Sequence, residues 1–395
     1  MRMFDVWESV HQLSQPCLTR AATEPAISSE GVVKDSNLRS IDTFLWEDVE
    51  RAVLEGGVRP FQHESLYTAD KWLTTSALQK SIRRGHSELA ERYARSSVRI
   101  DPDHAFRRLA IIALEDVGLG DLKLVSETLA ILGNKLRRRS LGEERLAVHL
   151  AVRMSSAMKS RLACDLLSLI EYDNEASKKA ERVSCLDTVA LSNFVRRENF
   201  GSTTQLVSLW MLHGTDRLRS RQLNSIEGQG QRGLMRLMTN LSAPLIFHYI
   251  VRMGLSRCRD SLALPYVLLA QFADQNPLLR TVRSDIPRPE LIGSYPSFAY
   301  DMHTRIGRRA IKKFEVNCTE QLRALGVRDV GNLIFALEGG CLDRRLSSVG
   351  IEPIRSSACA LEVFGHENSI NEDILFELNL LPKLDAIRRQ AAVSV

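Results

Sequence analysis

The chain has 395 residues, 44% of them hydrophobic and 26% charged. At roughly 100–200 residues per domain that suggests two or three domains, and a core of this size needs no metal or disulfide staples. The 53 basic residues against 48 acidic ones leave a net charge of +5, which permits contact with nucleic acid without demanding it, so local clusters matter more than the total.

Residues 1–40 mix Ser, Thr and Pro and read as an irregular N-terminal arm. MRMFDVWESV has early acidic residues and no apolar h-region, so it is not read as a signal peptide. Residues 41–58 show helical spacing through Phe44, Val49, Val53 and Leu54. From residue 70 to about 170 the helical signal is strong. Thr74 or Thr75 is placed to cap a helix carrying Leu78 and Ile82. Asp101-Pro102 is a good helix start, a capping aspartate before a proline in the first turn. That helix carries Phe106, Leu109, Ala113 and Leu114 and stops at Gly118 and Gly120. Asp121 opens the next. A longer apolar series then runs through Leu146, Leu150, Met154, Met158, Leu162 and Leu166.

Residues 173–181 are charged and read as a connector. Helical patterns follow at 186–194, 204–212, 234–238 and 244–255. The apolar runs at 244–250 and 262–270 fall short of the roughly 20 residues that span a bilayer, so they read as core helices. Pro277, Pro287, Pro289 and Pro296 mark a loop. The short apolar runs at 333–337 and 363–364 are not resolved by periodicity. Strand-like alternation is scarce. The expectation is an all-α protein, a multi-helix bundle or stacked helical hairpins. Its two helical domains are 41–175 and 176–395, behind the arm at 1–40.

The chemistry-bearing motifs are few. The dipeptide Gly-Lys never occurs, so no P-loop lysine is available to reach a nucleotide phosphate. There is no H-E-x-x-H and no G-x-S-x-G. Gly228-Gln-Gly230-Gln-Arg-Gly233 spells G-x-G-x-x-G, but a polar and basic stretch precedes it where a dinucleotide turn needs an apolar strand. Cys17, Cys164, Cys185, Cys258, Cys318, Cys341 and Cys359 form no C-x-x-C pair. Their odd number points to reduced thiols in a cytoplasmic protein. No metal site, cofactor or catalytic residue is expected.

Two groups of cations stand out. Arg83-Arg84, Arg107-Arg108 and Arg137-Arg138-Arg139 lie in the first helical domain. Several such clusters in one domain favour a nucleic-acid partner, whereas any one alone is ordinarily a solvated face. Aromatic residues make up only 6% of the chain, which weakens a stacking platform for single strands. The second group follows the Pro-rich loop, with His303, Arg305, Arg308, Arg309 and Lys312 after Asp301. One reading is a capped, salt-bridged helix start, with Asp301 facing Arg305 one turn on. The other is a phosphate or nucleic-acid site at a helix N-terminus.

Three blocks in the first helical domain carry a resemblance. Ser76-Ala-Leu-Gln-Lys-Ser-Ile-Arg83 is similar to an S-A-L-H-K-S-I-R stretch in the replication-associated recombination protein A family of clamp-loader-like AAA+ proteins, with Gln79 in place of histidine. Residues 107–119, RRLAIIALEDVGL, resemble that family's R-R-L-x-x-x-A-x-E-D-I-G-L signature. Residues 147–160 resemble its A-V-x-x-L-A…K-S segment, with Met158 where the family usually has proline. The likeness covers residues 70–168 and lies in the family's C-terminal helical region, not its ATPase domain. It implies a helical module for assembly or DNA-associated interaction, without a motor.

In RRLAIIALED, Glu115 and Asp116 sit at a helix C-terminus, where the dipole disfavours anions. They are expected to need partners from Lys80, Arg83, Arg107 or Arg108, in an ion network joining the first two blocks. The functional expectation is a non-enzymatic, oligomeric accessory of DNA replication or repair, of the kind a mobile element carries, with DNA, replication proteins or a separate ATPase as partners and no membrane. The alternatives are a phosphate- or nucleotide-binding protein or enzyme built around residues 301–309, and a pure interaction scaffold.

Overall fold

The computed structural model describes residues 33–56, 70–218, 220–286, 289–316, 320–364 and 381–393. Most of the expected N-terminal arm, residues 1–32, lies outside them. The architecture is all-α. Eighteen α-helices and two small two-stranded sheets occur among the described residues.

Helix α1 (Asp35–Glu55) begins inside the span read as an arm and buries Leu38, Leu45, Trp46, Val49 and Val53 along one stripe. Helix α2 (Lys71–Arg83) starts at Asp70, whose carboxylate accepts from the amides of Trp72 and Leu73 at 2.8 and 2.9 Å. The cap is therefore not Thr74 or Thr75. An aspartate one turn earlier accepts the orphan amides, and the Thr75 hydroxyl instead donates back to the Lys71 carbonyl. Helices α3 (Ser87–Ile100) and α4 (Pro102–Ile112) follow, the latter capped by Asp101, which accepts from the His104 amide.

Helix α4 runs into one π-helical turn, Ala113–Val117, and ends at Gly118 with φ +50. A side chain there would lie 2.4 Å from the Ser160 carbonyl, so the position requires glycine. Asp121 caps α5 (Leu122–Gly133), and α6 (Lys135–Leu141) follows.

The apolar series from Leu146 to Leu166 is two helices, α7 (Glu143–Ser156) and α8 (Leu162–Tyr172). The break falls where Lys159 pairs with a distant strand. Its amide donates to the Arg344 carbonyl at 3.0 Å, and its carbonyl accepts from the Leu346 amide at 2.9 Å. The charged segment read as a connector contains α9 (Glu175–Val183). Ala176, Ala180 and Val183 give it a buried stripe.

Helices α10 (Thr188–Arg197), α11 (Thr203–His213), α12 (Gly230–Asn240), α13 (Leu245–Met253) and α14 (Tyr266–Asp274) build the next layer. Ahead of α12, Gly228 packs on the backbone of Gly214, leaving 2.3 Å for a side chain. Its glycine serves a close backbone approach. Strand β1 (Arg280–Arg283) pairs antiparallel with β4 (Arg344–Ser347), and β2 (Leu291–Ile292) with β3 (Tyr295–Pro296). The Pro-rich span thus holds short strands as well as loop. The remaining helices are α15 (Arg305–Val316), α16 (Glu320–Ile334), α17 (Ile351–Phe364) and α18 (Leu381–Val393).

One continuous apolar cluster runs from Val33 to Ile354 and includes Trp46, Leu109, Leu129, Trp210, Ile250 and Leu268. Each such side chain contributes about 1.5–3 kcal/mol on burial. The cluster draws on helices from both halves of the chain. No helix among the described residues is long and apolar enough to cross a membrane.

Candidate functional site

Helix α2 buries Gln79, Lys80 and Arg83, three polar side chains within five positions that a core helix does not ordinarily tolerate. Each has a partner. Arg83 donates from Nε to Asp116 Oδ1 at 2.7 Å, from an Nη to Glu115, and from Nη1 to the Gly339 carbonyl at 3.1 Å. Gln79 Nε2 bridges Glu115 at 3.0 Å and Asp116 at 3.2 Å. Arg161, from the turn before α8, adds a bond to Glu115 at 3.3 Å. Phe335 closes the assembly, with the Arg83 guanidinium over its ring at 5.4 Å and that of Arg161 at 5.9 Å.

The π turn presents the two acids. It allows Glu115 and Asp116 to point toward α2 from consecutive positions, where a regular helix would send them to different faces. Burial alone would raise the Glu115 carboxyl, but Arg83 and Arg161 hold it below the ordinary value. Asp116 is 0% exposed and is pushed up by burial.

Lys80 turns away from this pair and meets Asp301 at 2.5 Å, with both side chains about 95% buried. Burial opposes the ammonium charge. It also works against the Asp301 carboxylate, but the neighbouring Lys80 and His303 hold that group low. Asp301 therefore faces Lys80, not Arg305 as the helical spacing suggested, because it lies before α15 begins. The Arg84 guanidinium is buried over Phe298 at 4.9 Å and donates to the Glu338 carbonyl. Arg388 joins the Glu338 carboxylate at 2.8 Å.

The basic clusters separate on inspection. Arg83 and Arg84 are interior. Arg137 donates two hydrogen bonds to the Glu50 carboxylate at 2.6 and 2.7 Å and lies over Trp46. Arg138 is 2% exposed, against Phe106, Asp103 and Glu143. Arg107 and Arg139 are exposed and Arg108 is half-buried. None of these three forms an ion pair among the described residues, so Arg107 and Arg108 do not hold Glu115 and Asp116 directly, and Arg108 acts on Glu115 only through its more distant charge. Arg161 and Gln79 take that place, and neither is marked by any local sequence signal.

Helix α15 is different. Ile306, Gly307, Ala310, Ile311 and Phe314 are buried, and Arg305, Arg308, Arg309 and Lys312 line the exposed face. Their i, i+3, i+4, i+7 spacing puts them in one row about 10 Å long. None forms an ion pair among the described residues. Lys313 hydrogen-bonds Gln390 of α18. His303 precedes the helix on the surface, with its ring edge-on to Phe335. The Thr304 hydroxyl caps the helix, accepting from the Gly307 amide at 3.0 Å.

Comparison with known proteins adds nothing to this geometry: no protein-family model, curated protein or solved structure matches the chain.

Proposed function

We propose that this protein binds the backbone of nucleic acid through α15, as a helical accessory of DNA replication or repair with no motor of its own. The carrying observation is the row Arg305, Arg308, Arg309 and Lys312, exposed and without carboxylate partners among the described residues. Arginine and lysine at helical spacing suit phosphates, which fix register without reading sequence. Elsewhere the arginines expected to grip DNA are largely engaged inside the molecule.

The replication or repair role rests on the likeness of residues 76–83, 107–119 and 147–160 to the clamp-loader-like family. That likeness also supports self-assembly and contacts with replication proteins or a separate ATPase, while cysteines without a C-x-x-C pair support a cytoplasmic site of action.

Titration of duplex DNA at several salt concentrations tests the reading. Binding should weaken steeply with salt, and replacing all four α15 cations by alanine should reduce the slope by about 3–4, close to one per lost phosphate contact. A slope unchanged by the four substitutions, or no binding at low salt, would remove α15 as the contact.

A further inference from the structure

Behind the charge junction lies a cavity of about 80 Å³, between the start of α8, the turn after α16, β4 and α17. Its walls include Leu162, Phe335 and Leu346. One water needs about 10–15 Å³ of such space, so the volume admits several waters or one tetrahedral oxyanion.

Three guanidiniums and two carboxyls face it: Arg161, Arg345, Arg355, Asp165 and Glu362. Most are engaged elsewhere. Arg161 serves Glu115, Arg345 pairs with Glu352 at 2.5 Å, and Glu362 accepts from the Ser168 hydroxyl. Two are not. Arg355 and Asp165 have no side-chain hydrogen bond or ion pair among the described residues, although both line the same small space. Both are half-buried and face the space as opposite charges, an arrangement that suits a ligand that accepts on one side and donates on the other. An oxyanion that keeps one proton at neutral pH does both.

We propose that this cavity binds a protonated tetrahedral oxyanion of the monohydrogen-phosphate class, with Arg355 taking its charge and Asp165 accepting its proton. Phosphate has that proton. Sulfate has the same shape and none, so its oxygen would meet the Asp165 carboxylate unshielded. Arg345 and Arg161 add positive potential from β4 and from the turn before α8. Burial, with Glu362 nearby, pushes the Asp165 carboxyl up to about 6, which still leaves it mostly ionised and accepting near neutrality. The site does not depend on α15 or on the nucleic-acid reading.

Calorimetric titration of the full chain with inorganic phosphate and with sulfate, near neutral pH at matched ionic strength, decides the matter. Phosphate should bind at least about tenfold more tightly than sulfate, the usual consequence of setting a carboxylate acceptor against an oxygen lone pair. Arg355→Gln should abolish phosphate binding. Asp165→Asn, whose amide both donates and accepts, should bind the two anions equally. A variant lacking the four α15 cations should keep the discrimination. Equal binding of the two anions by the unmodified protein, no binding of either, or phosphate binding that survives Arg355→Gln in a folded protein would each overturn the proposal. The first two outcomes need no variant to fold.

Discussion

Arg83 and Asp116 meet at 2.7 Å in the interior, one from α2 and the other from the π turn after α4, with side chains 2% and 0% exposed. This contact joins the buried face of α2 to the end of α4. The same guanidinium also reaches Glu115 and the carbonyl of Gly339, far along the chain. Gly339 ends the π turn Phe335–Gly339. Two π turns therefore face each other across one arginine.

Removing that arginine leaves two buried carboxylates without their main partner. Arg83→Met should cost about 3–5 kcal/mol in denaturant unfolding. Arg83→Lys should not restore the loss, because an ammonium cannot span Glu115, Asp116 and a carbonyl with one planar fork. A loss within about 0.5 kcal/mol, the range of ordinary surface substitutions, would mean the junction is solvated and unimportant to stability.

The Lys80–Asp301 pair ties α2 to the segment that starts α15. Lys80→Met alone should destabilise by about 3–5 kcal/mol, and Lys80→Met combined with Asp301→Leu should recover much of it, since no charge is then stranded. Asp301 is held below its ordinary 3.8 in the folded state. Its share of the stability is thus present above the unfolded-state value and lost as the pH falls through the folded one. The gap between the unmodified protein and Lys80→Met should narrow on acidification. A gap independent of pH would show that the pair is not ionised.

Asp165 has the opposite sign. Its folded value of about 6 lies above the ordinary 3.8, so between these the folded state binds more protons than the unfolded chain. The contribution is complete below the unfolded value and lost as pH rises through about 6. In phosphate-free buffer, Asp165→Asn should gain stability relative to the unmodified protein across that window and stay level above it. Parallel stability curves for the two proteins would contradict the placement of this carboxyl.

Gly307 sits on the inner face of α15, where a side chain would lie 2.0 Å from the Asp301 carbonyl. Gly307→Ala forces backbone apart and should cost about 1–3 kcal/mol, despite alanine's better helix propensity. By displacing Asp301 it should also make Lys80→Met less damaging in the double variant than in isolation. Simple additivity of the two, measured by thermal or denaturant unfolding, would uncouple the turn from the ion pair.

Arg138 and the α15 cations separate stability from binding. Arg138→Ala should destabilise the protein through lost packing on Phe106 and a lost partner for Asp103 and Glu143, yet leave the salt slope of DNA binding unaltered. Arg308→Ala with Lys312→Ala should do the reverse. Equivalent effects of the two changes on both measurements would erase the distinction between interior and surface cations.

The helical class, the Asp101-Pro102 start and the stop at Gly118 were legible in the sequence because periodicity, capping and glycine tolerance are local properties. So was the strain of placing Glu115 and Asp116 at a helix end, which follows from the dipole alone. What the sequence could not reveal is which cations answer them. Arg83, Arg84 and Arg138 look like a basic surface in one dimension, and so do Arg305, Arg308 and Arg309. The difference lies in what packs over them: Phe335, Phe298 and Phe106 in the first case, solvent in the second. The apolar series from Leu146 to Leu166 reads as one pattern until a strand some 185 positions later pairs with Lys159 inside it. Local chemistry thus determined the elements and their ends. Only tertiary structure decided which charges are neutralised inside and which are left exposed, because burial and ion pairing are set by long-range packing that no local pattern encodes.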